Sequence, residues 1–456
     1  MSALRSTLIA VGAAGAIAGL LFGTGVISLN KSGEGDGKHG KKGGRSGKKG
    51  GGIDPELESL SYLNTDQLSA EEKKKVGVTR HVPEKAEAGG ISLGVPIGSG
   101  GEFAKIGRGR PVRVARLIGM DGTELHSWEH DTKRGPAKNP GWAMAKFSPD
   151  GHLYAVDNRT ALVKLDWDSK AVWSVKGRFH HDLAFGEDGG TVVLEERNVE
   201  LDDQGTPYHL LDDGFTWISA DGEVEKRFWI HDALADKPFY QEHIAARNER
   251  WRSKRKSGKK KLPRADFIHA NTVEVLSQDV EGIGSKGDIL TALRELDVLA
   301  VFSAEDGSLK WHWGADELDR PHDPDLQPGG TMLVFDNGWH RGWSRVIEIN
   351  PSDGAISWTY KGTKADPLWS KKRGLSQILS NDNVLVNSSQ RGRSLEVTRE
   401  GEVVWEYYTP DIVGDFRIPI RLVRLQGAAL DKAKALLEER KGVVRGPITK
   451  KRRPKR

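Results

Sequence analysis

The 456-residue sequence has no cysteine, which excludes disulfides, thiolate nucleophiles and cysteine-held metals and leaves the compartment unmarked by thiol usage. Apolar side chains are scarce in residues 30–90 and 444–456, so those stretches cannot build a core; the 37% hydrophobic content is lean because of them, and the middle is globular. The body carries no strong charge of one sign, since much of the Lys/Arg excess behind the formal +5 sits at 31–49, 246–264 and 445–456. No recognisable nucleic-acid-binding motif accompanies those basic stretches, and no nucleic-acid partner is expected. Tyrosine is sparse beside tryptophan, seven against fourteen, and a Trp-rich chain with many Asp-Gly pairs points to repeated sheets joined by tight turns.

One long hydrophobic run is present. Leu8–Leu29 is 22 uncharged residues, enough to cross a hydrocarbon core of ~30 Å as a transmembrane helix. It is longer than the apolar centre of a signal peptide and is preceded by the lone Arg5, which favours an uncleaved anchor over a cleaved segment. Gly15, Gly19 and Gly23 share one helix face and would let two anchors pack as a dimer. Beyond the anchor, Lys31, Lys38, Lys41, Lys42, Arg45, Lys48 and Lys49 lie among Gly and Ser, a flexible linker suited to an anionic membrane surface. The expected organisation is an anchor or signal segment at 1–29, a linker at 30–104, a folded body at 105–426 interrupted by a basic insertion at 230–265, and a helix with a basic tail at 427–456.

A unit recurs along the body: a strand, an Asp-Gly turn or its equivalent, then a short strand ending in Trp. The copies MDGTELHSW, LDWDSKAVW, SADGEVEKRFW, SAEDGSLKWHW, INPSDGAISW and VTREGEVVW place Trp128, Trp173, Trp229, Trp313, Trp358 and Trp405 at intervals of 45–56 residues, with one of 84 that holds the insertion. A period of ~40–50 residues is that of a four-stranded propeller blade. The expected fold is all-β: a six-bladed β-propeller with an N-terminal transmembrane helix and a short C-terminal helix.

A second recurring piece, including HHDLAFGEDGGTVVLEE, FIHANTVEVL, HDPDLQPGGTMLVFD and GLSQILSNDNVLVNS, reads as the inner strands. Because inner strands run along the channel axis, His181, His269 and His322 would converge on one mouth. Asp182 and Asp323 follow two of these histidines and are positioned to fix their tautomers, while Asn271 offers a neutral donor. Arg341 brings a planar cation suited to sulfate or phosphate, and His340 stands beside it. Imidazoles with a guanidinium describe an oxyanion site. The competing reading is a zinc site on the same three histidines, without an H-x-x-x-H pair or a cysteine to support it.

Five pieces carry a family resemblance: FIHANTVEVL, PHDPDLQPGGTMLVFDNG, the Ser344-Arg345 strand start, SQILSNDNVLV and EGEVVWEY. Together they make residues 140–425 resemble the arylsulfotransferase family. The resemblance implies a six-bladed propeller that moves a sulfuryl group between a small aromatic sulfate and a phenol by a ping-pong route, with a histidine nitrogen as carrier and no cofactor. Matched position by position, His269, His322 and Arg341 fall in the anion-binding and acid/base set. The family's carrier histidine lies on a later blade, and this sequence has no histidine after His340. Gly374 falls at the ring position there, with Ser376 nearby, so His181 is the expected carrier and Ser376 the second candidate; a non-catalytic, membrane-tethered binding scaffold is the alternative. The resemblance implies a periplasmic body, whereas the positive-inside rule implies a cytoplasmic one.

Overall fold

A computed structural model describes residues 68–97, 113–130, 141–205, 207–252 and 264–440. The Leu8–Leu29 run and the basic linker lie outside the described residues. Among the described residues no helix is long and apolar enough to cross a membrane.

The strands form six sheets of four or five strands, with one further hairpin pairing Ile412–Val413 with Phe416–Arg417. Blades two to five are each continuous in sequence, with inner strands beginning at Trp142, Phe179, Glu274 and Pro321. The chain ends close the ring twice. Blade one joins Ile91–Pro96, Val114–Gly119 and Glu124–Glu129 to an innermost Ile420–Arg424 contributed from the C-terminal side. Blade six, Leu375–Ile378 to Val403–Tyr408, gains Gly77–His81 as a fifth, outermost strand. The propeller therefore starts near residue 77 rather than 105, and the expected linker contributes two strands. Gly77–His81, and Ile91–Pro96 along one of its edges, pair with chain more than 300 residues away, which local sequence cannot signal.

The recurring tryptophans join blades. Trp128 donates its indole N–H to Asp166 O (3.0 Å), Trp173 to Ala220 O (2.9 Å) and Trp358 to Arg399 O (2.7 Å); each acceptor lies in the Trp-turn of the next blade. Trp405 donates to Met120 O at 2.8 Å, carrying the pattern from blade six across the closure to blade one. In blade three, Phe228 rather than Trp229 packs on the next turn, where a Cβ on Gly307 would come within 2.6 Å of its ring. The turn glycines on which Trp173 and Phe228 sit, Gly222 and Gly307, have φ of 90° and 75°, a region that favours glycine.

The C-terminal helix Gly427–Glu439 buries Ala433 and packs Leu430, Leu436 and Leu437 on the core shared by blades one and two. The insertion forms helices Ile230–Leu234 and Pro238–Arg252. The longer helix is anchored by buried Tyr240, by His243 Nε2 against Phe267 O (2.8 Å) and by Arg247 to Glu295 (2.9 Å). It is thus part of the body and not only a solvated loop.

Candidate active site at the propeller mouth

Each inner strand begins at the same end of the channel and runs to a hairpin. Counted back from the hairpin bond (Gly186 N to Gly190 O, Leu276 N to Asp288 O, Gln327 N to Thr331 O), His181, Asn271 and His322 each lie five residues earlier. His269 lies two residues before that level, yet its ring meets His181 edge to face with centroids 4.9 Å apart. Both residues have positive φ, 54° and 53°, a conformation unusual for histidine that surrounding structure must hold in place. At His181 the strand bulges: Val193 pairs with Leu183 and Glu195 with Phe179, so His181 is turned out of the ladder while His180 and Asp182 stay buried.

The three rings are held differently. His269 Nδ1 lies 2.5 Å from Asp266 Oδ2. Burial alone would raise the Asp266 carboxyl, but His269 and Arg294 hold it below its usual value, so it is an anion facing an imidazole N–H. His322 Nδ1 lies 2.7 Å from Asn337 Oδ1 and 3.3 Å from Arg320 O. The Asn337 amide is oriented by donating to Ser370 O and Arg373 O (2.5 and 3.0 Å), so both partners of Nδ1 accept and the His322 lone pair is on Nε2. Burial, then the charges of Arg294 and Arg421, push His322 well below the ordinary imidazole value and keep it neutral. His181 is also pushed well below it by burial, then by His269, His180, Arg421 and Arg294. Its Nδ1 lies 2.6 Å from His180 Nδ1, and its carbonyl accepts from Arg421 at 2.8 Å.

Arg421 was not singled out by the sequence. It sits on Ile420–Arg424, four residues before the bond from Leu425 N to Ile91 O, the level that Asp182 and Asp323 occupy in their blades. Extending the repeat count to this last strand would have found it. The blade-four corner adds positive field, because Arg247, Arg294 and Arg320 converge on the single carboxylate of Glu295. Burial would raise Glu295, yet the arginines bring it to about 2.

The other expected residues have different duties. Asp182 accepts from Leu183 N (2.9 Å), from Val273 N of the next blade (3.2 Å) and faces Lys146 (3.2 Å). Asp323 accepts from Ser376 N of the next blade at 2.8 Å, and Asn271 donates to Pro321 O at 3.0 Å. These three side chains tie neighbouring inner strands and do not orient the histidines. Arg341 donates to Asp336 Oδ2 (3.0 Å) and Trp343 O (3.3 Å), and exposed His340 lies 2.9 Å from Asp319. Neither contact reaches the imidazole group. Below the histidines a cavity of about 340 Å³ is lined by Lys146, Asp182, Glu274, Asp323, Asp325 and Ser376. Burial, then Asp182 and Asp325, raise Asp323 to about 7. Among the described residues no cluster of three or more His, Asp or Glu side chains is arranged to hold a metal ion.

Residues 151–409 match the family model described as arylsulfotransferase (ASST). No curated protein matches the chain. Solved structures that resemble it include a protein of unknown function from Bacteroides caccae, 12% identical over 74% of this chain and 99% of that one, with a TM-score of 0.46. A streptogramin B lyase is 11% identical over 75% and 100% of the two chains (TM-score 0.40), and a virginiamycin B lyase from Staphylococcus aureus is 10% identical over 75% and 86% (TM-score 0.39).

Proposed function

This chain belongs to the arylsulfotransferase family, and we propose that its mouth transfers a sulfuryl group from a phenolic sulfate ester to a phenol with His181 as the transient carrier. The observation that carries this reading is the meeting of neutral His181 with His269 at 4.9 Å, beside the Arg421 guanidinium. Arg421 and the arginine-rich corner attract the sulfate ester and offset negative charge on its oxygens as the S–O bond stretches. A His181 nitrogen forms the N–S bond. The departing aryl oxide takes the Nε2 proton of His269, which enters the step as an imidazolium with its Nδ1–H on Asp266. In the second half, His322 Nε2 takes the proton of the acceptor phenol, whose oxygen displaces the nitrogen from sulfur; that proton then passes through solvent to His269, which restores both rings.

Ser376 is a poorer carrier. Its hydroxyl is buried and has no hydrogen-bond partner among the described residues, so none of them is placed as a base to activate it. The test is turnover of 4-nitrophenyl sulfate with phenol by the full chain, followed by trapping with donor alone and mass spectrometry that preserves sulfohistidine. We expect label on His181 and loss of turnover in His181→Ala and His322→Ala. Undiminished turnover in His181→Ala would sink the proposal.

One observation favours the binding-scaffold reading instead. Gly374, at the ring level of blade six, has no room for a side chain, because a Cβ there would stand 2.1 Å from the Phe335 ring. A protein inert toward several aryl sulfates that still binds them would be that scaffold. We also propose tethering to a membrane through Leu8–Leu29.

A further inference from the structure

The acid partner expected for His181, Asp182, is engaged elsewhere, but a second imidazole and a second carboxylate stand behind the ring. We propose that Asp213 and His180 form a relay that sets the His181 tautomer and takes up its proton during transfer; the catalytic half of this rests on His181 being the carrier.

Asp213 is immobile: it is buried, and its Oδ2 accepts from Ala270 N at 2.7 Å. Its Oδ1 lies 3.2 Å from His180 Nε2, a pair that misses the geometry of a full hydrogen bond. A bare Nε2 there would set two lone pairs face to face, so Nε2 carries the proton. The tautomer with its proton on Nε2 has its lone pair on Nδ1. That atom is 2.6 Å from His181 Nδ1, a separation that requires one proton between the two nitrogens. The proton belongs to His181, whose lone pair is therefore on Nε2. His180 and Asp213 are buried, while His181 is partly open to the mouth, so the relay is shielded and its end is accessible.

The same contact serves the chemistry. When His181 Nε2 bonds to sulfur and the aryl S–O bond breaks, the ring becomes an N-sulfo imidazolium. Arg421 and Arg294 stand against that added positive charge. The Nδ1 proton can cross to His180 Nδ1, making an imidazolium whose Nε2–H faces the Asp213 carboxylate. The neutral N-sulfo imidazole left behind is a poorer leaving group and holds the sulfuryl group. Return of the proton restores the cationic form, and the incoming phenoxide then breaks the N–S bond. The relay returns the proton it takes from His181, while the proton given to the aryl oxide by His269 is replaced by the one His322 takes from the phenol. His180 and Asp213 are positioning residues here, since neither touches substrate.

The experiment is nitrogen-15 NMR of histidine-labelled full-length protein, with His181 assigned from the signals lost in His181→Asn. Wild type should show a protonated Nδ1 and a bare Nε2 at His181. His180→Ala should release that preference to a tautomer mixture, and His180→Gln, which keeps an acceptor oxygen, should restore it. A protonated Nε2 on His181 in wild type, or an unchanged tautomer in folded His180→Ala, would overturn the relay. In the active enzyme, His180→Ala should lower kcat roughly 100-fold with little change in KM, and a variant at full kcat refutes the proton-transfer half. Because the tautomer is read without turnover, a wild type inert to aryl sulfates would refute the carrier role of His181 and leave the tautomer assignment to stand or fall separately.

Discussion

Replacing Arg421 separates the site described here from the one the family resemblance implies. Arg421 donates to the His181 carbonyl at 2.8 Å and its charge lowers both His181 and His322. Arg341 donates instead to Asp336, a fully buried carboxylate that also receives Arg345 at 2.7 Å. Removing one preorganised donor to a developing oxyanion costs about 2.7–4 kcal/mol, or a factor of ~10²–10³ in kcat. Arg421→Ala should lose about that much in kcat/KM for 4-nitrophenyl sulfate with phenol as acceptor. Its pH profile should also move. Without Arg421 the protonated forms of His181 and His322 become less unfavourable, both pKa values rise, and the acid limb of the rate shifts to higher pH. Arg421→Lys keeps a charge but not the planar fork, so it should hold the acid limb near its wild-type position while recovering only part of the rate. Arg341→Ala should mainly loosen the fold near Asp336 and change the rate by less than tenfold once the protein is folded. Steady-state kinetics across the histidine titration range decide the matter. A larger loss in Arg341→Ala than in Arg421→Ala would refute the assignment of the anion site.

Asp323 is raised to about 7 by burial and by neighbouring carboxylates, so wild type loses stability as pH climbs from the unfolded value near 4 through 7. Asp323→Asn escapes that penalty, and its stability relative to wild type should grow by about 1.4 kcal/mol per pH unit over this window in urea melts; a flat difference would count against it. Trp405→Phe removes the 2.8 Å bond to Met120 O at the ring closure and should lower stability by about 1–3 kcal/mol without altering kcat, as read by denaturation and turnover. Deleting residues 1–30 should release the protein from alkaline-washed membranes, and retention in the pellet would argue against the Leu8–Leu29 tether.

What was legible in the sequence is what the blades repeat. The turn and the following Trp recur because at four of the six joints the turn of one blade accepts the indole N–H of its neighbour, and that demand leaves similar letters along the body. His181 and His322 were legible for a related reason, since they share one inner-strand level, whereas His269 stands two residues before it. The closure was not. Ile420–Arg424 and Gly77–His81 belong to blades by pairing with chain several hundred residues distant, and local pattern cannot show that. Arg421 was missed with its strand. The roles of Asp182 and Asp323 were misread because adjacency along a strand alternates side-chain direction, and what decides a carboxylate's partner is the neighbouring blade.

The same logic bears on why a late-blade carrier is missing. At ring level, blade six has Gly374 with Phe335 filling the space its side chain would need, while blade three has His181 bulged outward at positive φ and backed by a buried imidazole and carboxylate. Phe335 is fully buried and lies between His322, its strand partner, and the core of blades five and six, so opening room at Gly374 would require shrinking a core side chain at a cost of about 3–5 kcal/mol. Recruiting a carrier on blade three needs no such change, because Asp213 is already held by Ala270 N and His180 already stands between it and His181. If this chain transfers sulfuryl groups, its packing directs the covalent step to blade three.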